Sequence, residues 1–174
     1  MKIVALAGLP GTGKSTLARA LAARLRAPLL DKDRVRAALF APEEIEYSRE
    51  QDDLVMECIH RAVEFHSGRG RAPAVVLDGR TYSRRAQAEA LRTLARRLAA
   101  PLVWLECTAS AAAVRARLEE DRERDHPAAN RSWELYERLR ASAEPLDGPK
   151  LVLATDERRP EELLEAALAY VGAN

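Results

Sequence analysis

A glycine-rich stretch near the amino terminus has the residue types of a phosphate-binding loop. Residues 8–15 read Gly-Leu-Pro-Gly-Thr-Gly-Lys-Ser and match the pattern G-x-x-x-x-G-K-[ST]. The glycines allow the backbone to approach phosphate oxygens closely, so that its amide groups can surround a phosphate. Lys14 would place a positive charge at the β- and γ-phosphates of a nucleoside triphosphate, and the Ser15 hydroxyl would bind Mg²⁺. The residues predicted to bind the nucleotide here are Gly8, Leu9, Pro10, Gly11, Thr12, Gly13, Lys14, Ser15 and Thr16.

A second set of polar residues follows the next apolar segment. Asp31 and Asp33 come directly after it, and Arg36 lies three residues beyond Asp33. At a helix start, this spacing puts Asp33 and Arg36 on one face. The aspartate could orient the hydroxyl of a phosphoryl acceptor, and the arginine could hold an anionic part of that acceptor. The alternative is structural, with Asp33 as a helix cap and Arg36 as a solvated surface residue.

A third polar segment, residues 78–81, reads Asp-Gly-Arg-Thr and ends another apolar run. Asp78 stands where a Walker-B acid would hold Mg²⁺ through water. Its structural alternative is a carboxylate that caps the following turn. Arg80 and Thr81 are predicted to face the same cleft and to bind the substrate.

Residues 115–131 are rich in arginine, with acidic residues between the arginines. This composition is typical of a solvated, salt-bridged helix. It also fits a lid that closes over the phosphates, excludes water and brings arginines to the transferring phosphoryl group. Arg117 and Arg122 are the two arginines that we expect to act in such a lid.

The elements that must position these residues alternate between strands and helices. Apolar runs of strand length occupy about 2–7, 28–30, 73–78, 102–107 and 151–154, and helical patterns cover about 15–25, 33–40, 50–67, 83–99, 111–123, 132–142 and 160–170. Continuous apolar strands separated by helices predict an α/β fold, in which a five-stranded parallel sheet carries helices on both faces. In such sheets ligands bind beyond the carboxyl ends of the strands. We therefore predict one P-loop NTPase or kinase domain over residues 1–174, with a helical lid at about 115–131.

Composition limits the classes of protein to consider. The 174 residues are 47% hydrophobic and 32% charged, which suits one globular domain, and the net charge of +1 gives no general attraction for nucleic acid. Cys58 and Cys107 show neither metal-site nor disulfide spacing and are predicted to be buried free thiols. No signal peptide and no membrane-spanning run is evident, so we expect a cytoplasmic protein with no membrane partner.

Together these motifs resemble those of the small P-loop kinases. The P-loop followed by Leu-Asp-x-Asp-x-x-Arg over residues 30–36 is similar to adenylylsulfate kinases and polynucleotide 5′-kinases, and more distantly to zeta toxins and antibiotic phosphotransferases. Residues 47–50 (Tyr-Ser-Arg-Glu) and residues 78–85 resemble further stretches of this group. Lys32 replaces the glycine of the adenylylsulfate kinase pattern, and the lid stretch of Asp, Pro, Tyr and Glu in those enzymes has no counterpart. Adenylylsulfate is therefore not the expected acceptor.

The resemblance implies roles for individual residues. It implies that Asp33 is the acceptor base, that Arg36 is an acceptor ligand, and that Thr155 and Asp156 contact the nucleobase. It further implies ATP as the phosphoryl donor together with Mg²⁺. We predict a kinase that transfers the γ-phosphoryl group of ATP to a hydroxyl of a small-molecule acceptor.

Other functions are less favoured by the sequence. A polynucleotide or nucleoside 5′-hydroxyl acceptor is the main alternative, but no basic stripe with interleaved aromatic residues is evident. A GTPase switch would carry Asn-Lys-x-Asp and Asp-x-x-Gly, which the sequence lacks. An ATP-driven remodelling module would need a second domain. The identity of the acceptor and the oligomeric state stay open at this point.

Overall fold

The computed structural model describes residues 1–123 and 132–174, and of residues 121–123 only the backbone. The strands are β1 (Lys2–Ala7), β2 (Leu29–Asp31), β3 (Ala74–Asp78), β4 (Leu102–Thr108) and β5 (Leu151–Ala154). The helices are α1 (Lys14–Leu25), α2 (Lys32–Leu39), α3 (Arg49–Arg69), α4 (Arg85–Arg97), α5 (Ala111–Glu123), α6 (Trp133–Ala141) and α7 (Pro160–Ala173). A short 3-10 helix, Pro42–Glu44, precedes α3.

The five strands form one parallel sheet in the order β2-β3-β1-β4-β5. β1 lies at the centre, with β3 on one side and β4 on the other. The register pairs Ala5 of β1 with Leu77 and with Trp104, and it pairs Asp31 with Asp78 at the ends of β2 and β3. The carboxyl ends of all five strands therefore meet at one edge, where the P-loop begins.

Both faces of the sheet are covered by helices, which explains why the strands are apolar throughout. On one face α1 and α7 pack against the sheet through residues such as Leu21 and Ala167. On the other face α3 and α4 contribute residues such as Val55 and Leu91. This arrangement confirms the predicted α/β fold with a five-stranded parallel sheet.

The starts of several helices carry residue types that commonly occupy those positions. Ser48 begins α3 and accepts a hydrogen bond from the Gln51 amide, while Ser110, ahead of α5, accepts one from the Ala113 amide. Pro160 occupies the first turn of α7, where the missing amide hydrogen has no cost. These caps fix where each helix starts relative to the strand before it.

The predicted lid lies only partly within the described residues. Residues 115–123 form the second half of α5, whereas 124–131 and the side chain of Arg122 lie outside the description. Val114 and Leu118 of α5 pack with Tyr136 of α6, and Leu9 of the P-loop contacts the same cluster. The two helices that flank 124–131 are thus packed together directly beside the phosphate-binding loop.

No helix in the described ranges is both long enough and apolar enough to cross a membrane.

Candidate functional site

The P-loop follows β1 and has the backbone conformation that its glycines were predicted to permit. Gly8, Gly11 and Gly13 have φ angles of 132°, 76° and 81°, all in the region that side chains disfavour. At Gly8 a Cβ would lie 2.2 Å from the Cys107 carbonyl oxygen, so the loop touches the end of β4 directly. The sequence therefore needs glycine here for conformation and for packing.

The loop is closed by its own side chains. The Lys14 Nζ donates a hydrogen bond to the Leu9 carbonyl at 2.7 Å, and the Thr12 hydroxyl donates to the same carbonyl at 2.8 Å. Lys14 and Thr12 are only 5% and 4% exposed. The ammonium group is thus held within the concave side of the loop, where a phosphate of a nucleotide would meet it.

Helix α1 begins inside this loop without a side-chain cap. Gly13 occupies the N-cap position in a left-handed conformation and makes no side-chain hydrogen bond. The first amide groups of a helix and its dipole both favour an anion. Ser15 and Thr16 lie in this first turn and line the cavity described below.

Arg117, predicted as a lid arginine, links three distant segments around the loop. Its guanidinium donates to the Gly11 carbonyl at 3.2 Å, to the Thr155 hydroxyl at 2.9 Å and to the Thr155 carbonyl at 3.1 Å. The Thr155 hydroxyl in turn donates to the Thr12 carbonyl at 3.0 Å. In this structure Arg117 therefore holds the P-loop against the end of β5.

These bonds suggest how an Arg117→Met variant would behave. Methionine keeps most of the aliphatic length but removes every donor to Gly11 and Thr155. We expect the Kd for Mg–ATP to rise about tenfold, because loss of charged hydrogen bonds loosens the loop, with a smaller change in kcat. Calorimetry with a non-hydrolysable ATP analogue and steady-state kinetics measure the two quantities.

Arg115→Met is the matched control for that variant, because the Arg115 side chain is 61% exposed on the same helix and pairs only with Glu119 at 3.4 Å among the described ion pairs. It should leave nucleotide affinity unchanged. A hundredfold fall in kcat with unaltered nucleotide affinity in Arg117→Met would instead give Arg117 the predicted role at the transferring phosphoryl group.

Asp156, predicted together with Thr155 to contact the nucleobase, lies beside the start of α5. Its Oδ2 accepts a hydrogen bond from the Ser110 amide at 2.9 Å. Hydrogen bonding by Ser110 lowers the pKa of the Asp156 carboxyl. This contact joins the β4–α5 loop to the end of β5, while Thr155 lines the cavity next to the P-loop.

Asp78 is the buried carboxylate at the end of β3. It is 3% exposed, and neither of its carboxylate oxygens has a hydrogen-bond partner among the described residues. Leaving a buried carboxylate without partners is costly, so this group fits a Mg²⁺ ion reached directly or through water. Within the described ranges no cluster of three acidic, histidine or cysteine side chains could hold a metal alone. Mg²⁺ here would therefore be bound partly by protein groups and partly by phosphate oxygens of the nucleotide, as is common for this ion.

The polar residues that follow β2 comprise a helix cap, Asp31, and a neighbouring ion pair, Asp33 with Arg36. Asp31 is the N-cap of α2, because its Oδ1 accepts hydrogen bonds from the Asp33 amide at 2.9 Å and the Arg34 amide at 3.3 Å. Asp33 lies in the first turn, 3.7 Å from Arg36. The capping role considered for Asp33 therefore belongs to Asp31, while Asp33 lies in the first turn of α2 and lines the cavity described below.

Arg36, predicted as an acceptor ligand, is 2% exposed and lies between two helices. Its guanidinium forms an ion pair with Asp52 of α3 and stacks over the Tyr47 ring at 4.9 Å. Lys32 reaches the same carboxylate, with its Nζ 3.1 Å from Asp52 Oδ1. Burial lowers the pKa of Lys32 to about 8, while the negative charge of Asp33 opposes that shift by stabilising the ammonium.

Sequence reasoning missed Asp52 altogether. It belongs to a run of charged residues at the start of α3 that resembles an ordinary solvated helix face. Its proximity to α2 arises only when the two helices pack together. Tyr47 was noted as part of a family-like stretch, and the structure adds that it adopts a positive φ of 53° beside Arg36.

The remaining predicted substrate ligands, Arg80 and Thr81, are placed differently from one another. The Thr81 carbonyl accepts a hydrogen bond from the Gly8 amide at 3.0 Å, and its hydroxyl lies 2.9 Å from the Ser83 hydroxyl. Thr81 thus anchors the first residue of the P-loop. The Arg80 guanidinium is partly buried, and burial lowers its pKa.

One cavity of about 430 Å³ collects residues from both halves of the predicted site. From the donor side it is lined by P-loop residues, including Lys14 and Ser15, together with Arg117 and Thr155. From the acceptor side it is lined by Asp31 and Asp33. Thr81 lines a second cavity of about 390 Å³ on the other side of the loop.

Comparison with known proteins identifies the family. A family model described as an AAA domain matches residues 3–146 of the chain. Among curated proteins there is no significant match.

Several solved structures share the fold over nearly the whole chain. A gluconokinase from Sinorhizobium meliloti is 16% identical with a TM-score of 0.71, and the alignment covers 99% of this chain and 92% of that one. An APS kinase from Mycobacterium tuberculosis, solved with AMPPNP and APS, is 18% identical with a TM-score of 0.70, covering 98% and 97%. Kti12 from Chaetomium thermophilum, solved with ADP-AlF3, is 19% identical with a TM-score of 0.69, covering 97% and 98%. With a P-loop beside a two-sided cavity and a family match over most of its length, this chain belongs to that AAA-domain family and has the fold of the small P-loop kinases.

Proposed function

We propose that this protein is an ATP-dependent kinase that transfers the γ-phosphoryl group to a hydroxyl of a small-molecule acceptor. The observation that carries the proposal is the cavity of about 430 Å³, which is lined both by Lys14 and Ser15 and by Asp33. A nucleotide switch needs only the first of these two sets of residues. A kinase needs both, because donor and acceptor must be held side by side for transfer.

The chemistry assigned to each residue follows from its position. Lys14 and the amide groups at the start of α1 bind the β- and γ-phosphates and oppose their negative charge. Asp33 orients the acceptor hydroxyl. As the hydroxyl oxygen bonds to the γ-phosphorus, the bond to the β–γ bridging oxygen breaks, ADP leaves, and the hydroxyl proton passes to the Asp33 carboxylate. The Ser15 hydroxyl and Asp78 would hold Mg²⁺, which would neutralise part of the charge on the phosphates.

The likeness to other kinases supports the small-molecule class of acceptor. Two of the structural neighbours are, by name, a gluconokinase and an APS kinase. The complexes of neighbours with AMPPNP and with ADP-AlF3 support ATP as the donor. The identities are too low to carry an individual substrate across.

An acceptor panel tests the proposal directly. The protein is incubated with Mg–ATP and separate pools of sugars, sugar acids, nucleosides, aminoglycosides, adenylylsulfate and a 5′-hydroxyl oligonucleotide, and mass spectrometry detects a gain of one phosphoryl group. We expect at least one small-molecule pool to be phosphorylated, and Lys14→Ala to be inactive on it. Phosphorylation of the oligonucleotide alone would replace this proposal with the 5′-hydroxyl kinase alternative. ATP hydrolysis without any phosphorylated acceptor would contradict a kinase.

A further inference from the structure

Arg80 is a cation whose charge is not balanced by an ion pair within the part of the chain that the structure describes. Its side chain is only partly exposed, its Nε and Nη1 atoms are shielded from solvent, and neither atom has a hydrogen-bond partner among those residues. No ion pair to Arg80 occurs among the described residues. A guanidinium has five N–H donors and is charged at every physiological pH. Burying such a group with nothing to pair it is costly, so the site is electrostatically incomplete.

The neighbouring cations, Lys32 and Arg36, do have carboxylate partners. Lys32 and Arg36 both pair with the Asp52 carboxylate, and Arg36 also lies 3.7 Å from Asp33. Of the Arg36 nitrogens, only Nε is shielded without a partner. Because one carboxylate serves two cations here, it has little capacity left for a third. The missing negative charge is therefore specific to Arg80.

The effect of Arg80 on its surroundings agrees with this description. Burial is the main cause of a lowered pKa in Lys32, Arg36 and His60, and the charge of Arg80 lowers each of them further. The groups of opposite or neutral character that face Arg80 are the Tyr82 hydroxyl and Asp53. Asp53 is 63% exposed at its side chain and is already paired with Arg49 at 3.7 Å.

The position of Arg80 in the chain connects it to both halves of the site. Its predecessor, Gly79, packs against the backbone of Lys32, where an added Cβ would lie only 2.9 Å from the Lys32 nitrogen. Its successor, Thr81, accepts the hydrogen bond from the Gly8 amide at 3.0 Å. Arg80 thus stands between the acceptor-side helix α2 and the first residue of the P-loop.

We propose that the acceptor carries an oxyanion group, of the phosphate or sulfate type, and that Arg80 is the residue that binds it. That the anion belongs to an acceptor rests on the proposed kinase function. Binding of an anion at Arg80 can be tested without turnover. The anion supplies the counter-charge that the described residues do not provide, and the planar guanidinium can donate two parallel hydrogen bonds to it. Arg36, the residue singled out by the sequence pattern, instead holds α2 against α3.

Anion binding is measured with the P-loop already filled. The protein is saturated with Mg–AMPPNP, and sulfate, phosphate and acetate are then titrated in separate calorimetric experiments. We expect sulfate or phosphate to bind the wild-type protein, and Arg80→Gln to weaken that binding about tenfold or more, because a charged hydrogen bond pair is lost. Arg80→Lys keeps the positive charge but cannot donate two parallel hydrogen bonds, so its anion affinity should lie between those of the wild type and Arg80→Gln. Equal anion affinity in wild type and Arg80→Gln would overturn the proposal.

Arg71→Gln is the matched control, since it removes the same charge at an exposed position before β3, at the opposite end of that strand. It should bind the anion as the wild type does. A second measurement separates ligand binding from a structural role. In low-salt buffer without anions, Arg80→Gln should melt at the same temperature as the wild type or higher, because the variant removes an uncompensated charge. A fall of several degrees would show that Arg80 has a structural partner and would overturn the assignment.

The acceptor panel then distinguishes the sources of the oxyanion. Each hydroxyl compound is tested with and without an added phosphate or sulfate ester, and kcat/KM is compared within each pair. We expect the ester to be preferred by wild type and the preference to disappear in Arg80→Gln. Preference for the neutral member of every pair would overturn the substrate class. A protein that binds the anion through Arg80 but phosphorylates nothing would contradict the kinase proposal and leave the anion site standing.

Discussion

Lys14→Ala is expected to lower both the affinity for Mg–ATP and the turnover rate by roughly 100-fold or more, since it removes the central positive charge of the phosphate site. The Lys14 ammonium lies 2.7 Å from the Leu9 carbonyl and is 5% exposed, so it is already in place before a nucleotide binds. Its loss leaves the backbone amides to hold the phosphates alone. Calorimetry with Mg–AMPPNP and turnover on a known acceptor measure the two effects.

Arg24→Ala is a suitable control for this experiment. Arg24 lies in the last turn of the same helix and is exposed, so the change removes one positive charge far from the loop. It should bind Mg–AMPPNP as the wild type does. A folded Lys14→Ala protein with unchanged nucleotide affinity would contradict the assignment of residues 8–15 as the nucleotide site.

Asp33→Asn is expected to separate nucleotide binding from transfer. Asparagine has nearly the same shape but cannot take up the proton of the acceptor hydroxyl. Affinity for Mg–AMPPNP should stay within about twofold, whereas the rate of transfer should fall by roughly 100-fold or more. Single-turnover measurement of transfer, with nucleotide affinity determined in parallel, tests both statements.

Asp31→Asn supplies the matched comparison, because both aspartates line the same cavity. Asparagine caps helices about as well as aspartate, so α2 should remain intact in this variant. We expect Asp31→Asn to keep most of the transfer rate, since the Asp31 carboxylate is occupied by the amides of residues 33 and 34. Full activity in Asp33→Asn with loss in Asp31→Asn would move the base to residue 31.

Prediction from the sequence was most successful for features that depend on consecutive residues or on a strict periodicity. The P-loop is one continuous motif whose flanking strand and helix have clear patterns, so its position, conformation and partner elements could all be predicted. The five strands could be predicted for a similar reason, because each is a short apolar run between helices. The order of the strands in the sheet is not specified by these local patterns, because it depends on how the connecting helices cross the sheet.

What could not be predicted depends on contacts between distant segments. The choice between Asp31 and Asp33 as helix cap depends on a difference of two residues in where α2 begins, and helix patterns rarely specify a boundary that closely. The ion pair of Arg36 with Asp52 forms only where α2 packs against α3. Likewise, the sequence singled out Arg117 as a lid arginine but could not predict its bonds to Gly11 and Thr155, because these form only where the P-loop and the end of β5 come within hydrogen-bond distance.

Gly79 allows the end of β3 to lie in close contact with the start of α2. It has a φ of 84°, and a Cβ at this position would lie 2.9 Å from both the backbone nitrogen and the Cβ of Lys32. The end of β3 and the start of α2 are therefore in backbone contact. Any larger residue would force the start of α2, which carries Asp33, to shift relative to the end of β3. Substitution of this glycine is therefore expected to lower the rate of transfer before it lowers nucleotide affinity.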